Sequence, residues 1–203
     1  MRFDGGVITS MREAVLLVGE HVRLEPLGPQ HAAGLAQASA DGDVWRTWTT
    51  WVPTPDQVPA DIEGRLADHA AGRIVPWATC LPDGTPVGET CYWAVDEENR
   101  RLEIGATWLG ASAQGTKVNP EAKLLQLTRA FEVLECVAVE FRTHWHNRQS
   151  RRAIEALGAK QDGVLRNHRF MADGSLRDTV VFSIVRDEWP AVRSGLLARL
   201  GSA

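Results

Sequence analysis

The amino-acid sequence predicts one α/β domain built around a mixed β-sheet. Alternation of apolar and polar residues recurs along the chain, as is typical of half-buried strands. Two such strands, at 101–109 and 136–143, flank a strongly periodic helix at 120–135. A parallel pair of strands needs a crossover of this kind. A helix and two more strands follow within 147–185. This order of elements favours a sheet that contains one parallel pair.

The remaining elements follow from the same two periodicities. Alternation and Gly-containing turns predict strands at these positions: two within 16–26, then 74–81, 87–95, 163–171 and 175–185. Helical spacing predicts helices at 29–38, 62–72, 147–157 and 189–200. The 203 residues suit one domain of moderate size, without internal repeats. We therefore expect a flexible N-terminal arm at 1–14 and a single domain at 15–203.

Composition and charge exclude several classes of protein. The net charge of -4 argues against general nucleic-acid binding. The long apolar stretch near the start, Ala14–Val18, is far shorter than the ~18 residues of a membrane helix and shorter than a signal peptide requires. We therefore expect a cytoplasmic protein that binds neither membrane nor nucleic acid. Cys80, Cys91 and Cys136 show no CxxC spacing, and we expect them to be reduced core residues.

The loop between the strand at 101–109 and the helix at 120–135 is the most informative segment. Asn119 is predicted to be the N-cap of that helix and Pro120 its first residue. A helix start gathers unpaired backbone N–H groups and the positive end of the helix dipole, so it favours an anion, and Lys117 adds a positive charge. Modest glycine content and the lack of a Walker lysine motif leave an ordinary strand-to-helix connection open.

The residues around this loop resemble a known family. Leu102-Glu-Ile-Gly-Ala-Thr-Trp-Leu109 and then Ser112-Ala-Gln-Gly-Thr-Lys-Val-Asn119 are similar to the strand and pyrophosphate loop of the GNAT acetyltransferases. Downstream, four residues match the family pattern on the helix after the next strand: Asn147, Ser150, Glu155 and Gly158. The segment 162–183 resembles the last two strands of the Rim branch (RimJ/RimL-like), which acetylates ribosomal-protein N-termini. The order and spacing of these motifs together carry the resemblance, over roughly residues 20–190.

The resemblance implies a GNAT fold, in which a mixed, mostly antiparallel central sheet splays at a parallel βαβ pair and carries helices on both faces. It also implies direct attack of a primary amine on acetyl-CoA in a ternary complex. The pyrophosphate would rest on amides of 114–119, and the pantetheine would enter between the splayed strands. The residues implied in acetyl-CoA binding are Trp108, Leu109, Gln114, Gly115, Thr116, Lys117, Val118, Asn119, Asn147 and Arg151. Two questions stay open. The acceptor amine is a protein N-terminus or a small molecule, and the protein is a monomer or a homodimer.

Three residues are candidates for proton transfer. Glu103 is the first candidate for the general base, because it lies on the strand beside the expected thioester, where burial raises a carboxyl pKa. Glu89 is the second candidate, and a structural role is the alternative for both. Ser150 would contact or protonate the leaving thiolate, with helix capping as its alternative. An α-amine has a pKa of about 8, against about 10.4 for a lysine side chain, so an α-amine acceptor needs only a weak base.

The predicted acceptor site is aromatic and consists of Trp45, Trp48, Trp93 and His146. The spacing of three between Trp45, Trp48 and Trp51 would align the rings along one side of a helical turn, with core packing as the alternative. An aromatic cleft would suit an apolar or cationic acceptor. His144 and His146 share one side of an extended segment, but two histidines without a third ligand nearby do not indicate a metal site.

The sequence departs from the family pattern in three places. Lys117 and Asn119 replace small residues of the loop, Pro120 lacks an amide donor, and 144–146 replaces small and acidic residues. These departures leave a catalytically silent acyl-CoA-binding module open. An enzyme that acetylates antibiotics or metabolites is a third hypothesis.

Overall fold

The computed structural model describes residues 10–201. Within them, the strands are β1 Leu17–Val18, β2 Arg23–Pro26, β3 Ile74–Cys80, β4 Pro86–Asp96, β5 Arg101–Leu109, β6 Ala138–His144, β7 Lys160–Phe170 and β8 Leu176–Val185. They form one sheet in the order β1-β2-β3-β4-β5-β6-β8-β7. Neighbouring strands are antiparallel except β5 and β6, which are parallel. The predicted mixed sheet with one parallel pair is confirmed.

Helices cover both faces of this sheet, as the resemblance implies. The α-helices of the described residues are α1 Ala32–Ala40, α2 Val58–Ala70, α3 Val118–Thr128, α4 Arg148–Glu155 and α5 Trp189–Leu200. One core cluster joins α3 and α5 to Trp77 of β3, and a second joins α1 and α2 to Ala78 of the same strand. Because successive side chains of a strand point to opposite faces, the two clusters lie on opposite sides of the sheet.

The parallel strands separate after three residue pairs. Arg101, Leu102 and Glu103 pair with 138–140 of β6. Beyond them β5 pairs only with β4, and β6 pairs only with β8. The β4–β5 register also shifts where Ala106 adopts a φ of 48°, and such a bulge bends a strand. The predicted splay is confirmed, and it leaves two facing backbone edges unpaired.

The start of α3 differs from the prediction. The helix begins at Val118, so Asn119 is its second residue and not the N-cap, and Pro120 is its third residue. The Thr116 hydroxyl accepts the Val118 N–H at 3.3 Å and satisfies the helix start instead. Proline is tolerated here because N–H groups of the first turn lack an intrahelical acceptor.

The predicted flexible arm at 1–14 lies mostly outside the described residues. Its last part, 10–14, packs against the domain: Met11 is 8% exposed, and the Arg12 guanidinium donates to the Val95 carbonyl at 3.0 Å. Arg129 at the end of α3 donates to the Glu13 carbonyl at 3.0 Å. Residues 10–14 are therefore held by the core and by two arginines, while the division into arm and domain otherwise stays a prediction.

The segment with the three tryptophans does not form the helical turn that their spacing suggests. A 3₁₀ helix at 41–46 carries Trp45 and ends at Thr47, whose backbone is extended, and 47–51 forms no helix or strand. The prediction was wrong because spacing aligns side chains only while the helix continues, and this helix ends before Trp48. As a result, Trp45, Trp48 and Trp51 contact different parts of the molecule.

Two expectations from composition concern the cysteines and the membrane. Cys80, Cys91 and Cys136 are buried and form no disulfide, as expected. Within residues 10–201, no helix combines the length and the hydropathy that crossing a membrane requires.

Candidate active site

A cleft of about 1110 Å³ opens where β5 and β6 separate. Six of the residues implied in acetyl-CoA binding line it: Trp108, Leu109, Gln114, Gly115, Asn119 and Asn147. Three others, Thr116, Lys117 and Val118, line a smaller neighbouring hollow. The structure therefore brings together the strand end, one side of the loop and the start of α4.

The loop before α3 presents backbone N–H groups that are free to bind an anion. Those of Gly115, Thr116, Lys117 and Asn119 form no hydrogen bond with residues 10–201. Gly115 has a φ of 71°, a conformation that glycine adopts without strain. The positive end of the α3 dipole lies at the same place. These features fit a diphosphate, and Gly115 and Asn119 face the cleft.

Two predicted cationic contacts are directed elsewhere. Lys117 Nζ donates to the Leu200 carbonyl at 2.8 Å, at the end of α5, where a cation stabilises the last carbonyl groups. The Arg151 guanidinium lies 4.4 Å over the Trp145 ring. Neither side chain lines the cleft in this structure.

Asn147 and Ser150 lie together at the start of α4, as their spacing indicates. Asn147 Oδ1 accepts the Ser150 N–H at 3.0 Å and caps the helix. Capping, which the sequence left open as the role of Ser150, therefore belongs to Asn147. The Ser150 side chain lines the cleft, and its hydroxyl makes no hydrogen bond to another described residue.

Glu103 lies at the point where β5 and β6 separate. Its side chain is 17% exposed, and one carboxylate oxygen lies 3.5 Å from Arg142 Nε. Burial raises the pKa of Glu103 to about 7, against the opposing effect of Arg142 and with a smaller contribution from Glu140. A carboxyl group that titrates near neutral pH suits a general base.

Glu89, the second candidate for the base, is part of a buried ion-pair network. It is 1% exposed and does not line the cleft. Its Oε2 accepts from the Trp108 indole at 3.0 Å and lies 3.1 Å from Arg65 Nε. Arg65 also pairs with Asp61 at 2.6 Å. This network joins β4 and β5 to α2, so the structural alternative for Glu89 is favoured.

Lys123 is a buried residue of the cleft that the sequence analysis missed. Its ammonium group donates to the hydroxyls of Thr90 and Thr107 at 3.0 and 2.9 Å, and to the Gln126 amide oxygen at 2.9 Å. Burial lowers the pKa of Lys123 to about 7. These bonds tie α3 to β4 and to β5 directly after its bulge. Its spacing of four from Asn119 was the available signal, because residues four apart share a helix face.

The aromatic part of the cleft is smaller than predicted. Trp93 lines it and pairs with Glu103 in the β4–β5 register. Trp51 also lines it, although its ring is 60% exposed. These are the two tryptophans, besides Trp108, that face the cleft within the described residues.

The other predicted acceptor residues do not line the cleft. Trp45 lies under the Arg46 guanidinium at 4.9 Å. Trp48 is 61% exposed, and its ring contacts His144 and His146 at centroid distances of 5.0 and 5.8 Å. Of the two histidines, His144 and not His146 faces the cleft.

One wall of the cleft is cationic, which the sequence analysis also missed. Its charge comes from three arginines, Arg142, Arg169 and Arg177, and two histidines, His144 and His168, lie beside them on β6 and β7. Burial lowers the pKa of His144, and Arg177 and His146 lower it further. These residues lie on three strands, and only the strand register brings them together.

Glu25, His31 and Cys80 lie close enough together to be metal ligands, outside the cleft. His31 Nδ1 accepts the Gly28 N–H at 3.1 Å, and its Nε2 faces a Glu25 carboxylate oxygen at 3.3 Å. Because Nδ1 accepts, the ring proton lies on Nε2, which donates to Glu25 and offers no lone pair. This geometry is that of a hydrogen-bonded pair.

Comparison with known proteins identifies relatives that match most of the chain. Residues 21–160 match the family model described as an acetyltransferase (GNAT) domain. The curated protein "Putative ribosomal N-acetyltransferase YdaF" from Bacillus subtilis (strain 168) is 27% identical over 176 residues, which are 85% of this chain and 95% of that protein.

Solved structures show the same fold. The crystal structure of a GCN5-related N-acetyltransferase from Brucella melitensis has a TM-score of 0.83 at 31% identity, and the match covers 92% of this chain and 85% of that one. Mycobacterium smegmatis RimJ in complex with CoA-disulfide has a TM-score of 0.74 at 24% identity, over 89% of this chain and 90% of that one.

Proposed function

From the premise that this chain belongs to the GNAT acetyltransferase family, we propose that it transfers the acetyl group of acetyl-CoA to a primary amine. The acceptor is a protein N-terminus or a small-molecule amine. The observation that carries the proposal is the separation of β5 and β6 beyond Glu103, between the free amides before α3 and a carboxylate with a raised pKa. YdaF is named as a ribosomal N-acetyltransferase and RimJ holds a CoA derivative, which supports both substrates.

The proposed donor site uses three parts of the cleft. The N–H groups of Gly115 and Asn119 bind the diphosphate, and the unpaired edges of β5 and β6 bind the amides of the pantetheine arm. The Asn147 side-chain amide keeps its N–H donors for the same arm, because only its oxygen caps α4. When bound, acetyl-CoA supplies the acyl group as a thioester.

Proton transfer is assigned to Glu103 and Ser150. Glu103 accepts the proton that the amine loses as its nitrogen forms the new bond to the acetyl carbon. Ser150 donates a hydrogen bond to the sulfur as the carbon–sulfur bond breaks. Lys123 holds the β5 bulge in place beside the reacting groups through Thr107. A positioned base of this kind contributes about 10²–10⁴-fold in rate.

The positions of the departures from the family pattern favour an active enzyme over a catalytically silent module. In the loop, Lys117 and Pro120 do not line the cleft, whereas Asn119 does. Of the segment 144–146, only His144 faces it.

Calorimetry and an acetylation assay on the same preparation test the proposal. We expect acetyl-CoA to bind and free CoA to appear only when an amine peptide or small amine is added. Binding without turnover of any amine would favour the silent module, and absence of binding would refute the donor site.

A further inference from the structure

The cationic wall contains two arginines that face each other. Arg169 on β7 and Arg177 on β8 are direct partners in the strand register, and both line the cleft. Like charges directly opposite each other on neighbouring strands are destabilising. Such a pair within a binding cleft presents two guanidinium groups to one ligand, although Arg169 is exposed to solvent.

A bulge in β7 directs this part of the strand at the cleft. The register against β8 shifts between Leu165 and Arg169, and Asn167 has a φ of 50°. The Asn167 N–H donates to the Asp178 carboxylate at 2.8 Å, which fixes the bulge. Because the alternation is broken there, the consecutive residues His168 and Arg169 both line the cleft.

The neighbouring arginines have carboxylate partners, whereas these two do not. Arg166 pairs with Asp178 at 2.5 Å, and Arg142 pairs with Glu140 at 2.9 Å. Within residues 10–201, no carboxylate forms an ion pair with Arg169 or Arg177. The two unpaired charges are therefore a local property of this wall.

Arg177 is held in a defined orientation. Its Nε donates to the Thr179 hydroxyl at 3.0 Å, and that hydroxyl, on a residue 1% exposed, also contacts His168 Nδ1 at 3.1 Å. The two terminal amino groups of Arg177 make no hydrogen bond with described residues. Burial lowers the pKa of Arg177, Arg169 lowers it further and Glu103 opposes both effects. The site thus lies within electrostatic range of the proposed base.

We infer that Arg169 and Arg177 bind a carboxylate of the amine acceptor, close in its structure to the amine that Glu103 deprotonates. The planar guanidinium group matches a carboxylate through two parallel hydrogen bonds. The inference rests on the proposed function and specifies its substrate class. It replaces the cationic acceptor that the tryptophans suggested. The carboxylate has two sources: the side chain of an acidic first residue in a peptide, or the α-carboxylate of a free amino acid.

Steady-state kinetics with matched acceptors test the inference. The probes are a peptide beginning with Glu, the same peptide beginning with Gln, free phenylalanine and phenylalanine amide. We expect one acid to exceed its amide in kcat/KM by about 10- to 100-fold, the range for charge-assisted hydrogen bonds. The peptide pair and the amino-acid pair distinguish the two sources.

Variants assign the preference to these residues. Arg169→Gln and Arg177→Gln should raise KM for the preferred acid and leave KM for its amide and for acetyl-CoA unchanged. Lys160→Gln, on the same strand and 76% exposed in its side chain, is the matched control and should keep the preference. Melting temperatures confirm that each variant folds.

Each outcome decides for or against the inference. Equal use of acids and amides, or a raised KM for acetyl-CoA in the arginine variants, would overturn it. If no amine is acetylated although acetyl-CoA binds, the proposed function fails, and calorimetry with the Glu peptide and with phenylalanine then decides on the anion site separately. Arginine-dependent binding of either acid would uphold the site, and the absence of binding by both would overturn the site as well.

Discussion

Two carboxylates beside the cleft, Glu89 on β4 and Glu103 on β5, differ in their surroundings. Glu89 pairs with Arg65 at 3.1 Å, and Arg65 pairs with Asp61 at 2.6 Å, whereas Glu103 lies 3.5 Å from Arg142. Burial raises the pKa of both carboxylates, and Glu89 Oε1 has no hydrogen-bond partner among the described residues. Glu103 lines the cleft, as does Lys123, whose pKa burial lowers, but Glu89 does not. Access to the cleft therefore distinguishes the proposed base from a member of a buried ion-pair network, whose loss is destabilising.

The largest effect on stability is expected on the α2 side. Glu89→Gln should lower the free energy of unfolding by about 3 kcal/mol, since it leaves Arg65 with fewer buried partners. Urea unfolding measures this change. Asp68→Asn, which breaks an exposed pair with Arg73, is the control and should cost less than about 1 kcal/mol. A Glu89→Gln variant that keeps its stability but loses activity would make Glu89 the base and reverse the comparison.

A second effect, which depends on pH, is expected at Lys123. Its pKa falls from 10.5 to about 7 on folding, so between these values the unfolded chain binds more protons than the folded one. The contribution of Lys123 to the free energy of unfolding therefore rises with pH across that window. Lys123→Met should remove this rise relative to wild type in urea unfolding at pH 7, 8.5 and 10. Parallel curves for the two proteins would show that Lys123 is not buried as a perturbed amine.

The smallest effect concerns the cationic wall. Arg169→Gln should stabilise the protein by about 0.2–1 kcal/mol, because it removes a like-charge pair across two strands. Arg166→Gln breaks an ion pair and should have the opposite sign, with a loss below about 1 kcal/mol. Thermal unfolding of both variants measures the difference. Destabilisation by Arg169→Gln would mean that the wall carries no unbalanced charge.

Features that depend on neighbours in sequence were predictable. The splayed strands follow from one βαβ unit, and the Asn147 and Ser150 pair follows from helical spacing. The orientation of Lys117 was not predictable, because a helix start two residues earlier directs its side chain toward α5.

Features that depend on register or on a single backbone angle were missed. Glu89 and Glu103 look alike in sequence, and only the tertiary structure shows that Glu89 pairs with Arg65 outside the cleft while Glu103 lines it. Arg169 and Arg177 meet because a bulge at Asn167 sets the register of a hairpin. The tryptophan segment leaves the helical conformation at Thr47, whose ψ is 128°, and no spacing rule indicates this.

The pH dependence of kcat/KM, compared between wild type and Glu103→Gln, tests the central claim most directly. A carboxylate base is active when deprotonated, so the wild-type rate should rise with pH through about 7, the raised pKa of Glu103. In the variant this inflection should disappear, and only the inflection of the acceptor amine, at a pH of about 8, should remain. The rate should fall by about 10²–10⁴-fold. A folded variant that retains both the inflection and the wild-type rate would contradict the assignment of Glu103 as the base.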